Sequence, residues 1–178
     1  STDRRAFTEI WKGLFGQIPQ TPKVLVLRDY QADNLIWLPQ RAGVARVGLL
    51  DFQDAVIGSP VYDLVSLLED ARRDVAPSLA AAMIERYLDK ATKRDSSFDA
   101  GEFRSAYRIL GAQRNTKIIG IFARLWKRDG KPGYLDLIPR VWGLLGGDLA
   151  HPALTEARDW FDGSVPSPAR SAGLDSVR

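Results

Sequence analysis

Leu27-Arg28-Asp29-Tyr30-Gln31-Ala32-Asp33-Asn34-Leu35-Ile36-Trp37-Leu38, LRDYQADNLIWL, carries its acids and amides in one short polar segment and then turns apolar. Working outward, Leu35 to Leu38 and Val44 to Leu50 are apolar runs on either side of Pro39-Gln40-Arg41-Ala42-Gly43, a turn-forming stretch, and the pattern predicts a β-hairpin. Asn34 precedes the first strand and Asp51 follows the second. Antiparallel pairing therefore returns both to the same end of the ribbon. Asp29 lies in the loop that feeds the first strand, five residues before Asn34.

The rest of the chain frames this hairpin. Phe7, Ile10, Trp11, Leu14 and Phe15 recur at helical spacing across residues 3–16, and Pro19 and Pro22 then punctuate. Val24 to Leu27 reads as a short strand. From Tyr62 onward the apolar positions follow a helical period through Leu68, Leu88, Phe103, Leu110, Phe122, Trp142 and Leu145, with Pro77 marking a helix start. Thr155 to Phe161 predicts a last short helix. Gly163 to Arg178, rich in Ser, Pro, Gly and Ala without periodicity, reads as a flexible tail. The fold class expected is α+β, mainly helical, with residues 1–162 as one lobe and 163–178 as the tail.

Composition narrows the function classes. A chain of 178 residues, 45% hydrophobic with five Trp, can bury a core of one domain. Its apolar runs fall short of the roughly 20 residues a membrane helix needs. There is no cysteine, which removes disulfides and thiolate metal sites and agrees with a cytoplasmic setting. The 25 basic and 22 acidic residues are interspersed, an argument against a nucleic-acid partner, which would favour a basic stripe.

An amide and a carboxylate meeting at one hairpin end are hard oxygen ligands. Such a pair suits Mg2+, which takes one or two protein carboxylates and completes its shell with water and substrate phosphates. With a third acid nearby to accept or orient the proton of an attacking hydroxyl, this is a phosphoryl-transfer arrangement. Asp-x-x-x-x-Asn alone is common as a turn or helix cap; its coupling to Asp51 through a hairpin favours chemistry.

The strings LRDYQADNLIWLP, VGLLDFQDAVIGSPVYDLVSLLEDARRDV, GAQRNTKIIGIFARL and DLAHPAL resemble the aminoglycoside phosphotransferase and choline kinase superfamily, with a protein-kinase-like fold, and within it the bacterial N-acetylmuramate/N-acetylglucosamine anomeric kinases of cell-wall recycling. The resemblance implies ATP as phosphoryl donor, Asp29 as the catalytic aspartate, Asn34 and Asp51 as Mg2+ ligands, and Asp63 as an acid that braces the catalytic loop. It also implies an amino-terminal nucleotide-binding lobe. Only 28 residues precede Asp29, and Gly13 and Gly16 make no phosphate-cradling loop. The chain thus reads as a carboxy-terminal lobe, inactive by itself, whose partner is the missing kinase lobe. Self-association through the exposed interface is expected around Trp11, Phe15 and Val24–Leu27.

Two positions depart from the superfamily pattern. Leu27 stands where His is frequent, and Gln31 where relatives commonly have His, which points to an exchanged loop hydrogen bond or an altered substrate contact. Arg28 is expected to pair with a carboxylate that orders the loop. For the acceptor sugar, Gln113, Arg114 and Lys117 are polar residues on an otherwise apolar helix, with Gln113 and Lys117 on one face; a solvent-facing helix side is the competing reading. The cluster Glu69-Asp70-Ala71-Arg72-Arg73-Asp74 reads as a solvated helix end, or as acids that bind a cationic acceptor, which keeps an aminoglycoside-type phosphotransferase as the alternative. A non-catalytic sugar- or partner-binding lobe is the alternative of a different class. Asp54 is divided between a turn and a substrate or metal contact. His151, before Pro152, is assigned to a helix boundary.

Overall fold

A computed structural model describes residues 2–20 and 23–170; Pro22 and the tail from Ser171 lie outside the described residues. The chain divides into two compact units, one made of residues up to Ile18 and from Arg104 onward, the other of Pro19–Phe103. It is mainly helical, with two small two-stranded sheets.

The second unit holds both sheets. Strand β1 (Val24–Val26) pairs antiparallel with β4 (Val56–Gly58), and β2 (Leu35–Trp37) with β3 (Val47–Leu49) in the register Leu35↔Leu49, Ile36↔Gly48, Trp37↔Val47. The β2–β3 pair is the expected hairpin. Its connection closes through the Leu38 N–H on the Arg46 carbonyl at 2.7 Å, and Gly43 sits at φ +56°, a conformation glycine adopts without steric cost. The β1–β4 pair is an addition to the sequence reading. Helices α2 (Val61–Leu68) and α3 (Pro77–Arg94) follow, the latter with its proline in the first turn. Val26, Val61, Val65, Leu68 and Leu88 are buried, and Tyr87 stacks on Phe103 with ring centroids 4.8 Å apart.

Helix α4 (Ala100–Asp129) starts in this unit and continues in the other. The Asp99 carboxylate accepts the Glu102 N–H at 2.9 Å, satisfying an amide that the first helical turn leaves open.

The first unit packs α1 (Thr2–Gly16), α4, α5 (Ile138–Leu149) and α6 (Thr155–Ser164) around Trp11, Leu14, Ile109, Leu145, Leu149, Leu154 and Phe161. Trp142 and Trp160 pack against this cluster and serve the core. Trp11 is buried too; the expectation that it lies on an exposed interface is corrected, because its ring is taken up by Leu14 and its aromatic neighbours Phe7 and Phe15. His151 caps the turn Pro152–Leu154, its Nδ1 accepting the Ala153 N–H at 3.3 Å. Beyond Phe161 the chain stays helical to Ser164 and again over α7 (Ser167–Arg170), where composition gave no period. Arg170 explains the order there: it donates to the Val165 carbonyl and the Asp162 carboxylate, both at 2.7 Å, and lies over the Trp142 ring.

Two motifs from the sequence meet inside this unit. Asp148 on α5 is fully buried and accepts from Arg108 at 3.1 Å and from Asn115 Nδ2 at 3.1 Å, both on α4. Gly111 lies between those two positions, and a Cβ there would stand 2.6 Å from Asp148 Oδ2. The absence of a side chain is what lets α4 approach the carboxylate. Gly111→Ala should therefore lower the unfolding free energy by about 1–3 kcal/mol, the usual range for overpacking, although alanine is the better helix former. Urea denaturation measures it, and an unchanged midpoint would remove the close-approach account.

Candidate functional site

β1 ends at Val26, and the two residues that follow are held by α2. The Leu27 N–H donates to Asp63 Oδ2 at 2.8 Å and the Arg28 N–H to Asp63 Oδ1 at 3.0 Å. One turn further along α2, the buried Ser66 hydroxyl donates to the Arg28 carbonyl at 3.1 Å. Arg28 has φ +70°, a left-handed conformation that costs an ordinary L-residue free energy and persists where its surroundings over-determine it. Here both of its backbone polar groups are fixed. Its guanidinium donates to the Asp54 carbonyl at 3.3 Å, so the expected carboxylate partner is replaced by a main-chain oxygen. The nearby carboxylate, Asp63, is already engaged by two amides. Asp54 contributes a backbone contact of the kind a turn supplies.

After this bend the loop closes on Asp29. The Asp29 carbonyl accepts the Gln31 N–H at 2.9 Å and the Asn34 Nδ2 at 2.8 Å, and the Asn34 N–H reaches the Gln31 carbonyl at 2.9 Å across a short 3-10 turn, Ala32–Asn34. Because the Asn34 side chain spends its NH2 on a carbonyl, its amide oxygen remains an available acceptor. The ladder continues past the strands, with the Leu50 N–H on the Asn34 carbonyl at 2.9 Å. Asp51 comes next, at φ +55°, its Oδ1 accepting from Gln53 Nε2. Asp29 and Asp51 are exposed and Asn34 half-buried. Thus the loop and the hairpin bring the backbone of Asp29, Asn34 and Asp51 to one end of β2–β3.

The donor set fits a hard divalent cation of modest protein demand. Asn34 offers an amide oxygen and Asp51 a carboxylate, and among the described residues no group of three or more His, Cys, Asp or Glu gathers in metal-binding fashion. A pair of this kind suits Mg2+ shared with phosphates and water better than an all-protein cage.

A further layer comes from residues 69–74. Glu69 and Asp70 are 6% and 3% exposed, which corrects the solvated-helix-end reading for these two acids, while Arg72, Arg73 and Asp74 are exposed as it expected; Asp70 Oδ1 accepts the Arg72 N–H at 2.8 Å. The two arginines that follow reach the loop that runs from Asp29 to Asn34. Arg73 donates through Nε at 3.1 Å and through Nη2 to Asp33 Oδ1, and Arg72 Nη1 donates to Gln31 Oε1 at 3.3 Å. Sequence spacing could not have found these contacts, which bridge about forty positions, nor Ser66, an apolar-stripe serine.

The other substrate candidates belong to the helical unit, whereas Asp29, Asn34 and Asp51 belong to Pro19–Phe103. Gln113 and Lys117 share one face, as their spacing requires, and line an open pocket of about 390 Å³ with Trp11, Lys12, Phe15 and Thr116. Arg114, on another face, is buried.

Residues 2–98 match the family described as the phosphotransferase enzyme family. The chain is 47% identical over 173 residues to an N-acetylmuramate/N-acetylglucosamine kinase of Caulobacter vibrioides, covering 96% of this chain and 47% of that protein. It is 39% identical over 157 residues to the protein of the same name from Pseudomonas aeruginosa, covering 85% and 44%, and 43% identical over 128 residues to that from Neisseria meningitidis, covering 70% and 36%. The chain therefore spans less than half the length of these relatives. With more than half of its residues inside the family match, the chain belongs to the phosphotransferase enzyme family.

Proposed function

We propose that this chain is the catalytic-loop lobe, of protein-kinase-like fold, of an ATP- and Mg2+-dependent sugar kinase that phosphorylates the anomeric hydroxyl of N-acetylmuramate or N-acetylglucosamine. The observation that carries the reading is the Asn34 side chain bonded to the Asp29 carbonyl, in a loop whose entry is fixed by Asp63. That geometry ties a proton acceptor to a metal-ligand position in the manner phosphoryl transfer demands. The acceptor is taken from the relatives, which are N-acetylmuramate/N-acetylglucosamine kinases.

In this mechanism the exposed Asp29 carboxylate accepts the proton of the sugar hydroxyl as its oxygen bonds to the γ-phosphorus. The bond from that phosphorus to the β,γ-bridging oxygen breaks, and ADP leaves with the electron pair. Asn34 and Asp51 would hold Mg2+, which would offset charge on the phosphates. Asp63 and Ser66 keep Arg28 bent, so that Asp29 is presented without reorganisation at the moment of reaction.

The donor nucleotide requires a second lobe, and the exposed apolar faces of the sheets support one. Leu25 and Ile57 on β1–β4 are 62% and 69% exposed, and Ile36, Trp37 and Phe52 are also in solvent. Isolated two-stranded sheets are marginal in water, and an apolar surface of this kind favours association, with a covering lobe or between copies. Among the described residues no helix is long and apolar enough to cross a membrane. In this reading the enzyme works in the cytoplasm.

Full-length enzyme from the encoding gene, given ATP, Mg2+ and either sugar, is expected to yield the sugar 1-phosphate; formation of no sugar phosphate, or of a 6-phosphate, would refute the reaction or its regiochemistry. Asp29→Ala should reduce kcat by about 10²–10⁴-fold, the range of general-base contributions, with KM for the sugar little changed. A variant with full kcat and a raised KM would make Asp29 a binding residue. Asp51→Ala should raise the Mg2+ concentration needed for half-maximal turnover, read from a metal titration at fixed ATP, and an unaltered titration would take Asp51 out of the metal site.

A further inference from the structure

Arg72 and Arg73 are adjacent, both exposed, and both directed to the same loop, yet their partners differ in charge. The Arg73 guanidinium meets the Asp33 carboxylate, which neutralises it. Arg72 meets only the neutral Gln31 amide oxygen, at 3.3 Å, and forms no ion pair among the described residues. Asp70, two residues before it, is buried and receives the backbone N–H of Arg72, at 2.8 Å. The main chain of Arg72 is thereby anchored in the interior while its positive charge is left uncompensated at the loop.

Gln31 carries that charge to the chemistry. Its own N–H is bonded to the Asp29 carbonyl at 2.9 Å, so the residue that orients Arg72 is tied to the proposed base. With its oxygen turned to Arg72, the Gln31 side chain keeps its NH2 as a donor. The pair consequently presents the remaining N–H groups of a guanidinium together with those of an amide. A donor-rich, positively charged edge of this kind matches a planar or tetrahedral oxyanion, which a guanidinium fork binds through two oxygens.

We propose that Arg72, oriented by Gln31, is an oxyanion-recognition residue of the acceptor side of the site. The inference rests on the kinase reading above and deepens it. Two sources could supply the oxyanion: the lactyl carboxylate that N-acetylmuramate has and N-acetylglucosamine lacks, or the transferred phosphoryl group, common to both. Arg73 and Asp33 act differently, as a closed ion pair that ties the loop at Asp33.

The test uses full-length enzyme and its Arg72→Gln variant, which keeps polarity and size at an exposed position, with thermal melting to verify folding. Steady-state kinetics on the two sugars separates the sources. Loss of a charge-assisted hydrogen-bond pair corresponds to about 10–100-fold. A fall of that size in the ratio of kcat/KM for N-acetylmuramate to that for N-acetylglucosamine identifies the carboxylate; an equal fall in kcat on both sugars, the ratio held, identifies the phosphoryl group. If neither the ratio nor kcat moves, the proposal is overturned. Should the wild-type enzyme phosphorylate neither sugar, the kinase reading fails by itself, and Arg72 is judged without turnover by the nitrogen NMR signals of its guanidinium, assigned by their loss in Arg72→Gln. Displacement of those signals on titration with lactate or inorganic phosphate supports oxyanion recognition, and signals indifferent to both overturn it.

Discussion

The bond on which the site depends is the double acceptance of Leu27 and Arg28 amides by one Asp63 carboxylate. Hydrogen bonds to a charged acceptor are worth more than neutral ones, and two of them converge on the residue pair at which the chain turns from strand to loop. Without them Arg28 would relax from its left-handed conformation toward ordinary φ values, and the direction in which Asp29 leaves the strand would change. Ser66 adds the complementary contact to the Arg28 carbonyl. Because Asp63 and Ser66 are three positions apart on α2, they lie on one helix face, and a single rigid element fixes the peptide groups on both sides of the left-handed Arg28.

The same logic explains why two short sheets suffice. β1–β4 brings the Val56–Gly58 segment beside the strand that enters the loop, and β2–β3 brings Asp51 back beside the residue that leaves it. Each sheet is three residues long on each strand, too little to be stable by pairing alone. Val26, the strand residue turned inward, is buried, while Leu25 and Ile57 face out. The sheets therefore position the loop with little core of their own, and the firm support comes from α2 and from the buried turn at Glu69 and Asp70.

The sequence made the hairpin legible because two apolar runs flank a segment of Pro and Gly, and the helices legible because their apolar residues recur with a helical period. Phosphoryl transfer followed from chemistry at the hairpin end rather than from any one residue. Other features had no local signature. Val56-Ile57-Gly58 is too short to show alternation. The left-handed Arg28 and Asp51 are not glycines, so composition gave no sign of positive φ. Glu69 and Asp70 sit in a run of charges that by pattern should face water, yet their burial is decided by a turn that only the tertiary structure contains. Gly111 and Asp148 were both inside recognisable strings, but the contact that explains them joins two helices.

Division of the chain into two units gives these assignments a common cause. In the helical unit Asn115 and Asp148 are in the interior, where an acid is tolerated because Arg108 and Asn115 donate to it. In the loop unit the conspicuous polar residues Asp29, Asn34 and Asp51 are at least partly open to solvent; Asn34 is bonded to the Asp29 carbonyl, and Asp51 follows the Leu50 N–H that bonds the Asn34 carbonyl. A buried carboxylate with its donors met has a structural task, which Asp148 performs. An exposed carboxylate gains little stability from its neighbours, so its placement in an over-determined loop is better explained by chemistry than by folding. That contrast places Asp148 in the core and supports the proposed roles of Asp29 and Asp51, with Asp63, which grips two amides in the loop unit, as the acid that shapes the loop they would act from.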